Sequence, residues 1–185
     1  NLTSDMEIYL VRHTETVCEK VICYGQSDVG IRAPYDAIFE SILEQLPEQG
    51  ILYTSPLQRC SILAQHIQEA KGIPIVAEEP RLKEMHFGDW ELQAWNAIPR
   101  TVLDPWMNDF VNVAVPNGES FMDLEKRVWE FLEEKLEKPN EKPLILVTHS
   151  GVIRSVLCRI NNIPLQEAFA TPLDYGVVVK VEYTR

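Results

Sequence analysis

Two histidines, each placed where a buried strand should end, are the residues of this 185-residue chain best suited to chemistry. Ile8-Tyr9-Leu10-Val11 is a short apolar run bounded by charge, which is the pattern of a buried strand. It leads into Arg12-His13-Thr14-Glu15-Thr16. Leu144-Ile145-Leu146-Val147 repeats the pattern and leads into Thr148-His149-Ser150-Gly151. Open α/β sheets bind ligands beyond the carboxyl ends of their strands. A neutral imidazole can attack phosphorus and divide one hard displacement into two easier ones. A guanidinium offers a planar fork of donors to an oxyanion. Arg12 and His13 therefore suggest an anion site with a nucleophile, and nearby arginines would keep His13 neutral.

Three more positions join this reading. Arg59 falls in the first turn of a predicted helix that follows a strand, beside a helix N-terminus that favours anions. His149 and Ser150 open another predicted helix, whose free N–H groups should face the same anion. Glu84, in Arg81-Leu82-Lys83-Glu84-Met85, is a candidate proton donor to a poor alkoxide leaving group. Asp89 and Glu91 compete with it for that role. Each residue alone has a plainer reading: a structural histidine, a surface arginine, a solvated acid. Two histidines and two arginines at one sheet edge are harder to explain that way.

The elements that must position these residues alternate between strand and helix, implying a mostly parallel sheet covered on both faces. Strands are predicted at 8–11, 51–54, 73–77, 144–147 and 176–183, and helices at 35–46, from Ser55, at 120–138 and at 151–160. Ser55 reads as an N-cap, with Pro56 at the first helical position and Gln58 completing a capping box. Ser120 reads as the cap of the long helix, whose outer Glu and Lys residues read as plain solvated surface. Residues 78–118 are irregular and hold three of the four tryptophans. They read as an insertion forming a lid or pocket wall, with short helices near 91–98 and 104–111. Trp90, Trp95, Trp106, Phe110 and Phe121 are candidates to wall the pocket around a flat base, with core packing as the alternative.

Composition narrows the classes. The chain carries a net charge of −11, which opposes a nucleic-acid or anionic-membrane surface. The useful cations must form a local cluster in an acidic body. Cys18, Cys23, Cys60 and Cys158 form no CxxC pair and fit reduced thiols in a cytoplasmic protein. No apolar run has transmembrane length, and no basic-then-apolar leader opens the sequence. Residues 1–5 receive no function, and nothing in the sequence signals an oligomeric state.

Arg12-His13-Thr14-Glu15-Thr16, Ser55-Pro56-Leu57-Gln58-Arg59, Leu82-Lys83-Glu84-Met85, Phe87-Gly88-Asp89-Trp90-Glu91, Gly118-Glu119-Ser120 and Val147-Thr148-His149-Ser150-Gly151 together resemble the histidine phosphatase superfamily. The likeness follows the family order over nearly the whole chain. It implies a phosphoglycerate-mutase-like three-layer α/β/α sandwich, as one domain over residues 1–185. It also implies a phosphohistidine nucleophile at His13, a phosphate pocket of Arg12, Arg59 and His149, a proton donor at Glu84, and no metal or cofactor. Gln26 and Ser150 would be further phosphate contacts. Residues 23–28, 84–91 and 116–121 look most like the alpha-ribazole phosphatases, which act on a small-molecule phosphomonoester in cobalamin assembly. The chain departs from the family pattern at Thr14, where glycine is common, and at Glu19, where an asparagine often touches phosphate, so Glu19 is expected to turn away. It also departs at Ile31-Arg32-Ala33-Pro34, where a threonine- and glycine-rich helix start is usual.

Rival readings are a broad-specificity phosphatase, a phosphoglycerate mutase-like enzyme, a non-catalytic phosphoester-binding module, and a zinc protein using His13, His66, His86 and His149. A mutase needs a second basic cluster, and Arg100 is the only arginine between Arg81 and Arg127. No metal-ligand spacing supports zinc.

Overall fold

Five strands form one sheet in the order β3-β2-β4-β1-β5 in a computed structural model that describes residues 5–138 and 141–184. The strands are β1 (Asp5–Arg12), β2 (Ile51–Thr54), β3 (Ile75–Glu78), β4 (Leu144–Thr148) and β5 (Val178–Thr184). The first four run parallel, and β5 pairs antiparallel with β1 at one edge. Residues 1–4, which include most of the opening segment left without a function, lie outside the described residues.

Alternation along the strands sends side chains to two cores. Ile8 and Leu10 of β1 join Leu144 and Leu146 of β4 under α4 (Phe121–Glu137) and α5 (Ser150–Ile160). Val11, Ile145 and Val147 join Leu52 of β2 under α1 (Asp36–Gln45) and α2 (Gln58–Lys71). This is the mixed α/β sandwich expected for strands buried on both faces.

α4 has the predicted Ser120 cap, and the structure completes it as a capping box in which the Ser120 side chain and Asp123 exchange hydrogen bonds with each other's backbone. α2 differs from expectation. It starts at Gln58, with no side-chain cap of its own. Ser55 Oγ lies 2.8 Å from His149 Nε2 and accepts the Leu57 N–H at 3.3 Å, and Asp28 from a distant loop accepts the Gln58 N–H at 2.8 Å. The 78–118 stretch also differs in detail. Short 3₁₀ turns occupy Gly88–Trp90 and Trp95–Ala97, and α3 spans Arg100–Asn108 with Pro105 inside it. Pro99 occupies the N-cap position of α3 without a side-chain cap, and no α3 residue is buried.

Candidate active site

The parallel register of β1 and β4 pairs Arg12 with Thr148, so the next residue on each strand is a histidine. The His13 N–H donates to the Thr148 carbonyl, and the two imidazole rings meet edge-on with centroids 5.2 Å apart. Both rings are buried, His13 at 3% exposure and His149 at 0%. The His13 Nδ1 lies 2.8 Å from the Thr14 carbonyl oxygen. A carbonyl only accepts, so Nδ1 carries the hydrogen and Nε2 keeps a free lone pair. Burial is the largest cause pushing the His13 pKa down, to about 3, with Arg59 and Arg12 adding to it against the upward pull of the Thr14 carbonyl. His149 is also held well below the ordinary histidine range, first by burial and then by Arg59, His13, Arg127 and Arg12. Both rings are therefore neutral near pH 7.

Arg12 and Arg59 flank His13 and line the same cavity of about 350 Å³. Arg12 donates Nη1 to the Leu173 carbonyl and stacks on Tyr175, 4.1 Å from the ring centre. Arg59 is 1% exposed and donates Nη1 to the Ser27 carbonyl at 2.6 Å and Nη2 to that of Gly25. The Nε of each arginine is buried with no partner among the described residues. Two cationic donors left unpaired inside a protein are costly unless something anionic completes them.

Of the three candidate acids, Glu84 alone lines the cavity. Its carboxylate accepts from the backbone N–H of Met85 at 2.9 Å and of Gly151 at 3.1 Å, with the Ser150 hydroxyl at 3.5 Å. The opening of α5 therefore holds the acid, where free N–H groups for an anion were expected. Asp89 turns to Asn117, and Glu91 to the backbone of residues 25–27. The outer face of α4 is more than solvated surface. Arg127 reaches from it to the carbonyls of Arg81, Lys83 and Glu84, fixing the loop that carries the acid.

The other expected contacts divide. Ser150 lines the cavity, whereas His149 is buried behind His13. Gln26 does not line the cavity, because its amide donates to the Glu84 carbonyl at 3.1 Å, so it is a brace for that loop where a phosphate contact was expected. Glu19 is exposed and outside the lining, as its charge required. His66 packs on Phe39 and pairs with Glu40, and His86 accepts the Gly88 N–H, so the four histidines do not converge. Trp95, Trp106, Phe110 and Phe121 form an aromatic wall, with Trp90 buried behind Trp106. Phe87, Phe169, Tyr24 and Tyr175 extend that wall and were not anticipated. Their separation along the chain gives no local pattern to read.

The fold is that of the phosphoglycerate-mutase-like α/β proteins. The chain belongs to the histidine phosphatase superfamily (branch 1), which it matches over residues 8–185. It is 29% identical over 181 residues to a Hydrogenobacter thermophilus protein provisionally named phosphoserine phosphatase 2, covering 94% of this chain and 88% of that protein. It is 27% identical to the adenosylcobalamin/alpha-ribazole phosphatase of Salmonella typhimurium, covering 92% of this chain and 87% of that protein. The solved structure of a mycobacterial glucosyl-3-phosphoglycerate phosphatase shares the fold with a TM-score of 0.84 at 19% identity, covering 96% of this chain and 90% of that one.

Proposed function

We propose that this chain is a phosphomonoesterase that works through a phosphohistidine, with alpha-ribazole 5′-phosphate as its substrate. The observation that carries the reading is the neutral His13, with Nε2 unprotonated, in a cavity bordered by two arginines with unpaired Nε donors and by Glu84. Arg12 and Arg59 hold the phosphoryl oxygens and offset the charge that develops on them. His13 Nε2 attacks phosphorus as the ester P–O bond breaks, and the leaving oxygen takes a proton from Glu84. Glu84, now a carboxylate, accepts a proton from water as that water attacks phosphorus. The P–N bond then breaks, releasing phosphate and restoring His13. His149 packs on the His13 ring and keeps it aimed. No metal enters the scheme, because the arginines supply the positive charge.

The aromatic wall supports a leaving group with a flat ring, and the Salmonella relative supports alpha-ribazole in particular. Beyond the two arginines only Lys20 adds a cation to the lining, which supports hydrolysis over a mutase that must grip a second acidic group. His13→Ala is expected to abolish turnover of a generic aryl phosphate, and near-normal rates would refute the covalent route. A kinetic panel of phosphomonoesters tests the substrate. A kcat/KM for alpha-ribazole 5′-phosphate no better than for unrelated sugar phosphates removes it, and bisphosphoglycerate-dependent transfer without net phosphate release would indicate a mutase.

A further inference from the structure

Glu91 sits outside the cavity, yet its carboxylate gathers three consecutive backbone N–H groups. Gly25 donates to its two oxygens at 2.7 and 3.0 Å, Gln26 at 2.7 Å and Ser27 at 3.1 Å. The carbonyls of Gly25 and Ser27, on the opposite side of the same short loop, receive the two Nη groups of Arg59. The loop is thus held between an acid and a guanidinium, and the Gly25–Gln26 peptide bridges the two directly, its N–H on Glu91 and its carbonyl on Arg59. Neighbouring backbone bonds reinforce the docking, since Cys23 N–H donates to Gln93 and Leu92 N–H donates to Cys23. Gly25 packs so closely that a Cβ there would lie 1.8 Å from the Met85 carbonyl oxygen.

Among the described residues no carboxylate lies within ion-pair distance of Arg59, although it is buried. A direct ion pair would hold the guanidinium but also cancel its charge towards a ligand. An acid placed one peptide layer away orients the cation through dipoles and leaves its Nε edge uncommitted. A flexible arginine side chain gains a fixed position this way, and such preorganisation raises affinity by cutting the ordering cost of binding.

We infer that Glu91 is a positioning residue for the phosphate grip, acting on Arg59 through the backbone of residues 25–27. This rests on the reading of Arg59 as a phosphate ligand. It makes the grip depend on the 78–118 insertion, which also carries much of the aromatic wall.

The test is a double-mutant cycle read as affinity for inorganic phosphate, by titration calorimetry and by competition against an aryl phosphate. Glu91→Gln removes the charge and is expected to weaken phosphate binding about tenfold, the worth of one hydrogen bond to a charged group. Arg59→Ala is expected to weaken it more, and Glu91→Gln added to Arg59→Ala to cost nothing further. The loss should appear in phosphate affinity more than in the dependence of rate on leaving group, because Arg59 is held by two carbonyls of residues 25–27 and the Glu84 loop keeps its Arg127 bonds. Unchanged phosphate affinity in Glu91→Gln, or losses that simply add, overturns the inference, since a merely structural acid would lower the unfolding temperature without coupling to Arg59. If Arg59→Ala itself leaves phosphate affinity unchanged, the phosphate reading falls and the inference falls with it. Should Glu91→Gln fail to fold, Glu91→Asp, which keeps the charge and retracts it by one methylene, enters the same cycle with the same readings.

Discussion

Gly151→Ala separates the acid from the rest of the site with one methyl group. A Cβ at this position would lie 2.2 Å from Glu84 Oε1 and 3.1 Å from its Cδ. Ordinary contact begins near 3.4 Å, so the carboxylate must retreat by more than 1 Å or rotate away. Gly151 is the second residue of α5, where alanine favours the helix by about 0.5–1 kcal/mol over glycine. The substitution should therefore leave the unfolding temperature level or slightly raised while it displaces the proton donor. A misplacement of about 1 Å costs on the order of 100-fold, and a general acid supplies about 10²–10⁴-fold. For an alkyl phosphate, whose alkoxide needs a proton, kcat/KM should fall by about 100-fold. For p-nitrophenyl phosphate, whose phenolate leaves unaided, the fall should be within about threefold, because only the acid is disturbed. Steady-state kinetics on both esters, with thermal unfolding of the same samples, decides it. Equal losses on both substrates would mean that the methyl disturbs the phosphate grip, and no loss on either would mean that Glu84 is not the donor.

Other outcomes follow from the same geometry. His13 and His149 are neutral in the fold and must be protonated when it opens in acid, so stability is fully present above the unfolded value of 6.5 and falls as pH drops from there, for His13 down to about 3. Each ring contributes a slope of up to about 1.4 kcal/mol per pH unit, and denaturant melts between pH 7 and pH 5 should show it; a flat stability across that window contradicts the buried neutral pair. Trp106→Ala should lower kcat/KM for phosphomonoesters with an aromatic leaving group by about tenfold, on the scale of a lost ring contact, and leave simple sugar phosphates unchanged; equal effects on both would remove the wall from substrate selection. Arg127→Ala strips three carbonyls of their donor and should cost about 2–3 kcal/mol of stability by chemical denaturation, with the alkyl ester losing more rate than the aryl ester.

The parts of this site visible in the sequence are those coded locally. A four-residue apolar run followed by a polar turn marks the ends of β1 and β4, and β-pairing then needs only the correct register to bring His13 to His149. The Ser120 cap is likewise local and forms as read, with Asp123 adding the reciprocal bond of a capping box. The Ser55 box has the same local credentials and does not form, because the hydroxyl finds a buried imidazole from β4 and a remote aspartate takes over the cap. Arg127 and Tyr175 carry no local signal, and Glu91 reads from the sequence only as a rival proton donor, for a related reason. Their partners lie 43 or more residues away for the Arg127 carbonyls and 64 or more for the Glu91 amides, and no periodicity records such distances. Gln26 was assigned to phosphate because its amide had a suitable chemistry, but its contact is a carbonyl 58 residues along the chain.

The alignment of β1 on β4 has a bearing on how this protein fails. The same register that seats Ile8 and Leu10 in one core and Val11 in the other also brings the two imidazoles face to edge. A slip by a single residue would exchange the two sets, forcing side chains shaped for one core into the other. Folding and chemistry thus share one checkpoint. A molecule whose two interiors are correctly packed therefore already has its reactive pair in place.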